Sequence, residues 1–235
     1  MGIYQASQPW QNNKILLRQM QLSVNFKLKS RFCVKIFLMD VIKAPDPRLK
    51  VKTKFVKKIN GSLLATLNEM IKLTKTFKDP EGVGMAATQI GHNERFFVAR
   101  LHETHQKPPT NPTQRNNRWK NYGLSSNKKE FVAIINPQIL SYSKRTKPYF
   151  EGCLSTPNIW GQVRRHTSIK ISYQDTKGNN TTKSLKGIPA WIFQHELDHL
   201  DGILFTERIL QQKGKFYKFK GKDKTGTDIF EEVVL

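Results

Sequence analysis

Residues 194 to 202 read Gln-His-Glu-Leu-Asp-His-Leu-Asp-Gly. If this stretch is helical, His195 and His199 lie on one face about one turn apart, so both imidazoles can bind the same ion. Glu196 then lies beside that ion. A divalent metal lowers the pKa of a bound water, and a nearby carboxylate accepts the proton as the water attacks a carbonyl. The first hypothesis is therefore a metal-dependent hydrolase; the alternative is a chance His-x-x-x-His pattern on a solvated helix face.

A third metal ligand must come from elsewhere, because a catalytic site of this type usually takes three protein ligands and leaves one position for water. Cys153 is the candidate. It lies in Glu-Gly-Cys-Leu-Ser, residues 151–155, where Gly152 and the following Thr156-Pro157 favour a sharp turn. An isolated cysteine is more often a small buried apolar residue. Its combination with the histidine stretch favours a ligand.

A third stretch, residues 82–91, reads Gly-Val-Gly-Met-Ala-Ala-Thr-Gln-Ile-Gly. Its small residues allow a substrate backbone to approach closely, and Gln89 adds an uncharged amide donor. By itself, such a stretch is more often a turn or a phosphate-binding loop.

Taken together and in this order, the three stretches resemble the signature motifs of the peptide deformylase family, metalloenzymes that remove the formyl group from the N-terminal methionine of new proteins. Those motifs run Gly-x-Gly-Leu-Ala-Ala-(Pro or Thr)-Gln, Glu-Gly-Cys-Leu-Ser and Gln-His-Glu-x-Asp-His-Leu. The chain departs only at Met85, where leucine is usual, and that exchange conserves volume. The resemblance covers residues 39–210.

The resemblance implies a role for each matching residue. The metal ligands would be Cys153, His195 and His199, with water as the fourth. Glu196 would be the general base and then the acid, while the Gln89 amide and the Leu154 backbone N–H would stabilise the oxyanion. The family also implies one divalent metal ion per chain, Fe²⁺ for a bacterial enzyme and Zn²⁺ for some organellar ones; the ligands suit either.

The resemblance also implies how formyl-methionyl nascent peptides bind. The expected substrate-binding residues are Val83, Gly84, Gly152 and Ile192. Gly84 would pair with the peptide backbone like an added strand, and Val83 and Ile192 would lie near an apolar pocket for the methionine side chain. Arg165 matches a Val-x-Arg element of the family and is expected to support the Glu151 loop, unless it is only a solvated surface charge.

The apolar pattern predicts an α+β fold, and the resemblance implies that small antiparallel or mixed β-sheets pack around a central metal-binding helix that carries the His-Glu-x-x-His motif. Helical spacing of apolar residues predicts a first long helix around residues 63–71, ending before residue 79, and the motif helix at 188–200. Branched and aromatic residues predict strands at 95–101, 131–140 and 167–174, with a turn at 176–180.

Length and composition fit one modest enzyme domain with attachments, since the chain has 235 residues of which 37% are hydrophobic. Two cysteines do not make a disulfide framework, which favours a reducing compartment. The apolar runs are too short for a membrane span. We expect a monomer.

Residues 1–38 form a basic leader without acidic residues, a bias found in organelle transit peptides. The leader is alternatively upstream sequence translated through a wrongly chosen start, with Met39 as the true one. A bacterial cytoplasmic enzyme is slightly favoured over a mitochondrial or plastid one. Residues 102–130, rich in Pro, Asn and Lys, are predicted to be a loop inserted between strands.

Residues 211–235 form a basic C-terminal extension in which lysines alternate with aromatic residues, and the pattern predicts a β-hairpin. The chain has 40 basic and 18 acidic residues, a net charge of +22 that indicates a polyanionic partner such as ribosomal RNA. Lysine bias of the whole proteome is the alternative explanation.

Two other functions remain open at this point. The first is another His-Glu-x-x-His metallohydrolase or peptidase with a different third ligand. The second is an inactive basic relative that binds ribosomal RNA. Cys153, Gln89 and Glu196 argue against both, because they complete a hydrolytic site.

Overall fold

The computed structural model describes residues 39–77, 81–102 and 130–234. These residues fold into two antiparallel β-sheets, three α-helices and two short 3-10 helices. This arrangement confirms the predicted α+β fold with antiparallel sheets. The predicted leader, residues 1–38, and nearly all of the predicted insertion, residues 102–130, lie outside the described residues.

The helices and strands follow one another along the chain as follows. The α-helices are α1 (Gly61–Thr76), α2 (Ile188–Leu200) and α3 (Phe205–Gln211), and the 3-10 helices span Pro47–Lys50 and Ala87–Ile90. The strands are β1 (Gly84–Ala86), β2 (Phe96–Ala99), β3 (Val132–Tyr142), β4 (Thr146–Cys153), β5 (Thr156–His166), β6 (Ser168–Gln174), β7 (Asn180–Lys186), β8 (Phe216–Lys222) and β9 (Asp228–Val233).

The first sheet has the strand order β1-β2-β3-β6-β7, and each neighbouring pair is antiparallel. Its centre is apolar, with Phe96, Phe97, Ile134 and Ile135 fully buried. The short strand β1 lies at one edge of this sheet. The glycine stretch at 82–91 therefore supplies an edge strand followed by a 3-10 helix, and an edge strand can pair with an extended peptide.

The second sheet has the order β4-β5-β8-β9. Strands β4 and β5 form a long hairpin in which Gly152 pairs with Trp160 and Cys153 with Thr156, so Cys153 ends β4 at the turn. Strand β8 pairs with β5, placing Tyr217 opposite Trp160, and β9 pairs with β8. The C-terminal hairpin thus extends the sheet that carries Cys153.

Helix α2 lies between the two sheets. It begins after Gly187, whose φ of 62° is in the left-handed region that favours glycine, and Pro189 occupies the first turn, where no helix hydrogen bond is lost. Phe193 packs edge-on against Phe97 of the first sheet, with ring centroids 5.2 Å apart. Trp191 stacks on Tyr149 of the second sheet, at 5.5 Å. The observed bounds are those that the sequence predicts.

Helix α1 is the predicted first long helix. The Asn60 side chain caps it by accepting a hydrogen bond from the Leu63 backbone N–H at 3.0 Å. Its buried face includes Leu63, Leu67 and Met70, as the helical spacing predicts. No helix of the described ranges is long and apolar enough to cross a lipid bilayer.

Candidate metal centre

Three side chains with metal-binding atoms meet between α2 and the end of β4. Cys153, His195 and His199 each offer a ligand atom, and these atoms lie within 4.8 Å of one another. The two imidazole rings come from successive turns of α2, with ring centroids 5.0 Å apart. Cys153 Sγ lies 3.1 Å from His199 Nε2. The structure therefore brings together the three residues that the sequence predicts as ligands.

The turn after Cys153 is held by hydrogen bonds from a distant part of the chain. The Lys43 ammonium donates to the Leu154 carbonyl at 2.7 Å, and the Ala44 N–H donates to the Ser155 carbonyl at 2.8 Å. The Ser155 N–H in turn points at Cys153 Sγ, at 3.4 Å. These contacts fix the main chain around the sulfur and place one N–H donor beside it.

His195 is oriented by a buried carboxylate. Its Nδ1 is hydrogen-bonded to Glu151 Oε2 at 2.8 Å, which leaves Nε2 as the atom that can bind a metal ion. Glu151 is 0% exposed and also accepts from Arg165 Nε and Nη2, at 2.8 and 2.9 Å. Burial opposes ionisation of Glu151, but the charges and hydrogen bonds of Arg165 and His195 outweigh it, so the pKa of this carboxyl lies below its usual value.

Arg165 links this carboxylate to a second one on α2. Its Nη1 donates to Asp198 Oδ2 at 2.5 Å, and Arg208 of α3 donates to the same carboxylate through Nη2 and Nε, at 2.6 and 3.1 Å. The predicted support of the Glu151 loop by Arg165 is therefore present. The sequence reasoning missed Asp198 and Arg208, although Asp198 lies inside the motif three residues after His195, where it shares a helix face with that histidine.

His199 is held differently from His195. It is 1% exposed, and its Nδ1 has no hydrogen-bond partner among the described residues. Its backbone carbonyl accepts from Thr88 Oγ1 at 3.2 Å, which ties this turn of α2 to the 3-10 helix that follows β1. With Nε2 facing Cys153 Sγ, the ring presents the same nitrogen as His195 to the space between the three side chains.

Glu196 is the second carboxylate of the centre, and its surroundings are unlike those of Glu151. It is 3% exposed, and its Oε2 has no hydrogen-bond partner among the residues that the structure describes. Burial raises the pKa of Glu196 from 4.5 to about 7, which the nearby imidazoles only partly offset. A Cβ atom added at Gly84 would overlap the Glu196 carboxylate. A side chain at position 84 would therefore displace the Glu196 carboxylate, a constraint that the sequence does not reveal.

Gln89 has its side-chain amide fixed on both ends. Its Oε1 accepts from the Ala86 N–H at 2.9 Å, while Nε2 donates to Ser155 Oγ at 3.1 Å and lies 3.5 Å from Cys153 Sγ. The amide is 2% exposed. These contacts direct the NH₂ group into the centre, beside the sulfur.

The remaining residues predicted to bind substrate lie around this centre. Ile192 is buried on α2, one turn before His195, and Val83 precedes β1 and is partly buried. Gly152 faces away from α2, because an added Cβ would lie 2.7 Å from the Trp160 ring. If Gly152 contacts substrate, it does so through its backbone.

The residues present fit a divalent metal ion. One sulfur and two Nε2 atoms of neutral imidazoles are a frequent ligand set, and a fourth position stays open when only three protein ligands are present. In the metal-free protein, burial disfavours the thiolate, but the charge and hydrogen bonds of His199 and His195 outweigh it and hold the pKa of the Cys153 thiol well below its usual value. The thiolate is the form that binds metals. Beside the three donors, Glu196 and the Gln89 amide supply a proton acceptor and a hydrogen-bond donor, a combination suited to hydrolysis of an amide.

Comparison with known protein families gives an independent result. Residues 38–215 match the family model described as polypeptide deformylase. A peptide deformylase of Novosphingobium aromaticivorans is 34% identical over 176 residues, which cover 75% of this chain and 91% of that protein. The chloroplastic peptide deformylase 1B of Solanum lycopersicum is 30% identical over 203 residues, which cover 83% of this chain but only 64% of the tomato protein.

Solved structures show the same similarity. The crystal structure of peptide deformylase from Thermotoga maritima covers 72% of this chain and 96% of its own, with a TM-score of 0.59 and 33% identity. A class I type b peptide deformylase from Acinetobacter baumannii, crystallised with Met-Ala-Ser bound, covers 73% of this chain and 98% of its own, with a TM-score of 0.58 and 32% identity. With 33% and 32% sequence identity, both similarities indicate a shared family as well as a shared fold.

Proposed function

The chain belongs to the peptide deformylase family, and from that membership we propose how its residues remove the N-formyl group of newly synthesised proteins. The enzyme hydrolyses the amide between the formyl group and the N-terminal methionine and releases formate. The family uses a divalent metal. The observation that carries the proposal is the convergence of one thiol, two imidazoles and the buried Glu196 carboxylate at one point between α2 and β4.

Cys153, His195 and His199 would hold the metal ion, leaving one position for water. When bound, the ion lowers the pKa of that water and polarises the formyl oxygen. We expect Fe²⁺, with Zn²⁺ as the alternative, because one thiolate and two imidazoles suit either ion.

Glu196 accepts a proton from the water while the water oxygen attacks the formyl carbon. The same carboxyl then gives the proton to the methionine nitrogen as the carbon–nitrogen bond breaks, so formate and a free amine leave. A pKa near the working pH suits a group that must both take and return a proton, and burial raises the pKa of Glu196 to about 7 in the metal-free protein. Gly84 leaves the space that this carboxylate occupies.

The attack places negative charge on the formyl oxygen, and two donors would stabilise it. One is the side-chain amide of Gln89, whose NH₂ group is directed to the centre because its Oε1 is bound to the Ala86 N–H. The other is the Leu154 backbone N–H, in the turn that Lys43 holds. Donors fixed before the reaction need no reorganisation during it.

The substrate peptide would bind in extended form along β1. Strand β1 is an edge strand, so the backbone at Gly84 can pair with an added strand without regard to the side chains that follow methionine. We place the methionine side chain near Val83 and Ile192, and we assign Gly152 a backbone contact.

Metal content and deformylation of formyl-Met-Ala-Ser test these roles together. Cys153→Ala, His195→Ala and His199→Ala are each expected to abolish stoichiometric metal retention. Glu196→Gln should keep the metal and lose at least about a thousandfold in turnover, because the base is not a ligand. Stoichiometric metal in the three ligand variants would contradict the assignment.

The same assay addresses the two other functions that the sequence leaves open. Cleavage of an internal peptide bond by the wild-type enzyme would favour a peptidase, and metal binding without any turnover would favour an inactive relative. The family match and the relatives provide no support for either alternative.

We propose a catalytic domain of residues 39–210 that works as a monomer and does not need residues 1–38. The cytoplasm of a bacterium is slightly favoured as its location, with a mitochondrion or plastid as the alternative; the relatives include bacterial and chloroplastic enzymes. A chain that begins at Met39 should fold and deformylate as well as the full chain. A large fall in its melting temperature or turnover would show that the leader is part of the folded enzyme.

We also propose contact with ribosomal RNA, near the nascent substrate, through the lysine-rich part of the C-terminal hairpin, residues 213–224. Three of its lysines have carboxylate partners on β9: Lys215 with Glu232 at 2.9 Å, Lys220 with Glu231 at 2.7 Å, and Lys222 with Asp228. The hairpin is therefore less basic than its lysine content suggests. Lys213, Lys218 and Lys224 form no ion pair among the described residues and are the better candidates for phosphate contact.

Co-sedimentation with ribosomes at several salt concentrations distinguishes the two sets of lysines. Changing Lys213, Lys218 and Lys224 to glutamine should lower ribosome affinity and flatten its salt dependence, because phosphate contacts release counterions. The matched control changes Lys215, Lys220 and Lys222, and should have the smaller effect. If both variants sediment like the wild type, the hairpin does not bind the ribosome.

A further inference from the structure

The strand that carries Cys153 presents alternate residues to its two sides. Tyr149, Glu151 and Cys153 contact residues of α2, namely Trp191, His195 and His199. Phe150 and Gly152 point to the opposite side, since successive side chains of a strand alternate. What covers that opposite side decides how firmly the Cys153 end of β4 is held.

A group of aromatic rings covers it. Phe150 stacks on Trp160 with ring centroids 5.7 Å apart, and the Trp160 ring lies against Gly152, where an added Cβ would be 2.7 Å from it. Phe230 of β9 packs edge-on against both Phe150 and Trp160, at 5.1 and 5.8 Å. Tyr217 of β8 contacts Phe150 at 5.5 Å. We call Phe150, Trp160, Tyr217 and Phe230 the aromatic cluster.

Half of the aromatic cluster comes from outside the matched family region. That region ends at residue 215, whereas Tyr217 and Phe230 lie in the C-terminal hairpin. Phe150 is 0% and Trp160 is 6% exposed, whereas Tyr217 and Phe230 are half-buried, so the two hairpin rings cover the two inner ones. Phe150 lies on β4, three residues before Cys153, and Trp160 lies on β5, paired with Gly152.

We propose that the C-terminal hairpin is part of the support of the metal centre, and that Phe230 is a positioning residue for Cys153. Phe230 holds the Trp160 ring flat against Gly152. Gly152 has no side chain of its own to pack, so the Trp160 ring adds a packing restraint to the backbone between Glu151 and Cys153, beyond the pairing of β4 with β5. Without Phe230, Trp160 can move away, and the backbone that sets the positions of the thiol and of Glu151 gains freedom.

The proposal rests on the proposed role of Cys153 as a metal ligand. It predicts more than loss of stability, because residues that orient metal ligands typically change metal affinity about 10- to 100-fold when they are removed. Phe230→Ala should therefore raise the metal dissociation constant about tenfold or more, measured by competition with a chelator. In the metal-free protein, alkylation of Cys153 by iodoacetamide should also become faster, as followed by mass spectrometry of its peptide so that Cys33 does not interfere.

Phe219→Ala is the matched control. Phe219 lies on the same hairpin and contacts the Phe230 ring at 5.7 Å. Among the contacts that the structure describes, it touches neither Phe150 nor Trp160. Its loss should lower the melting temperature while changing the metal dissociation constant and the alkylation rate much less than Phe230→Ala does. All measurements are made well below the lowest melting temperature of the set.

Phe230→Leu keeps the test decisive if the alanine variant does not fold. Leucine retains an apolar side chain but loses the edge-on contact with the two rings, so the dissociation constant and alkylation rate should move in the same direction by a smaller factor. If every folded Phe230 variant matches Phe219→Ala in both measurements, the hairpin is only a stabilising attachment and the proposal is overturned. Failure of the proposed function itself gives a different result. Either the wild-type protein would then bind less than one metal ion per chain, or Cys153→Ala would retain a full equivalent of metal.

Discussion

The two faces of β4 are held by contacts of different kinds. On the face toward α2, the buried Glu151 carboxylate is bonded to Arg165 and His195, and Arg165 continues to Asp198. On the other face, Phe150 and Gly152 lie against aromatic rings. A single strand is thus fixed by buried charges on one side and by packing on the other.

The two faces of β4 should respond differently to amino-acid substitutions. A buried charge whose partner is removed remains desolvated without compensation, so a network of this kind tolerates almost no substitution. An apolar contact loses free energy in proportion to the area and volume removed, and volume-conserving exchanges cost little. The charged face should therefore be sensitive to the identity of its side chains, and the aromatic face to their size.

The largest expected effect is on the charged face. Arg165→Ala leaves Glu151 without its main partner and Asp198 with Arg208 alone, so the free energy of unfolding should fall by about 3–5 kcal/mol. Urea unfolding measures it. Arg164→Ala is the matched control, because Arg164 is the exposed neighbour on the same strand and its loss should change stability by less than about 0.5 kcal/mol.

Arg165→Lys sharpens the same test. Arg165 uses three different nitrogens on two carboxylates, and an ammonium cannot reproduce that planar geometry. Most of the loss should therefore persist in the lysine variant. A lysine variant as stable as the wild type would mean that charge alone, without hydrogen-bond geometry, holds this face.

The next largest effect is expected in the pH dependence of stability, where two carboxyls of the same site should behave in opposite ways. Cations hold the pKa of Glu151 low despite burial, whereas burial raises the pKa of Glu196 from 4.5 to about 7. A carboxyl with a raised folded-state pKa adds stability that is fully present below its unfolded pKa, and this stability disappears as the pH rises through the folded value. In the metal-free protein, Glu196 should therefore destabilise the fold as pH rises from about 4.5 to 7.5.

The measurement is the difference in unfolding free energy between metal-free wild type and Glu196→Gln across that pH range. Glutamine does not titrate, so the wild type should lose about 3 kcal/mol relative to the variant between the two ends. Glu151 has the opposite sign, and its contribution is lost as the pH falls. Parallel pH curves for the two proteins would show that Glu196 is not desolvated as the structure implies.

Much of this fold follows from local sequence pattern. Helix α2 has the bounds that the sequence predicts, and α1, β2, β3 and β6 occur where apolar spacing or branched residues predict them. The two histidines proposed as ligands lie side by side as predicted, because their helical spacing fixes their mutual geometry before any tertiary contact is considered. Membership of the family, inferred from three motifs, is confirmed by the family match.

The remainder depends on contacts that only the folded chain defines. Strands β4 and β5 were not predicted, because Pro148 and Gly152 weaken the strand pattern and the charges of Glu151 and Arg165 resemble surface positions. Both charges are buried by pairing with each other across two strands. A side chain at position 84 would likewise displace Glu196, more than a hundred positions away in the chain.

A smaller effect is expected on the aromatic face. Gly152→Ala places a methyl group against the Trp160 ring, which must move, at a cost of about 1–3 kcal/mol in unfolding free energy. Gly61→Ala is the control, because nothing lies within 4 Å of an added Cβ there. Trp160→Leu in the Gly152→Ala background should recover part of the loss in a double-mutant cycle. Strict additivity of the two changes would show that Trp160 does not restrain Gly152.

The smallest effect should come from the outer end of the charged network. Arg208 bonds Asp198 through two nitrogens, but its side chain is 33% exposed, and Asp198 would keep Arg165 if Arg208 were removed. Solvent screens such a pair, so Arg208→Ala should cost about 1 kcal/mol, well below the loss for Arg165→Ala. Urea unfolding of both single variants and of the double variant compares them. If Arg208→Ala costs as much as Arg165→Ala, the two arginines act as one unit, and the charged face depends on α3 as strongly as on its own sheet.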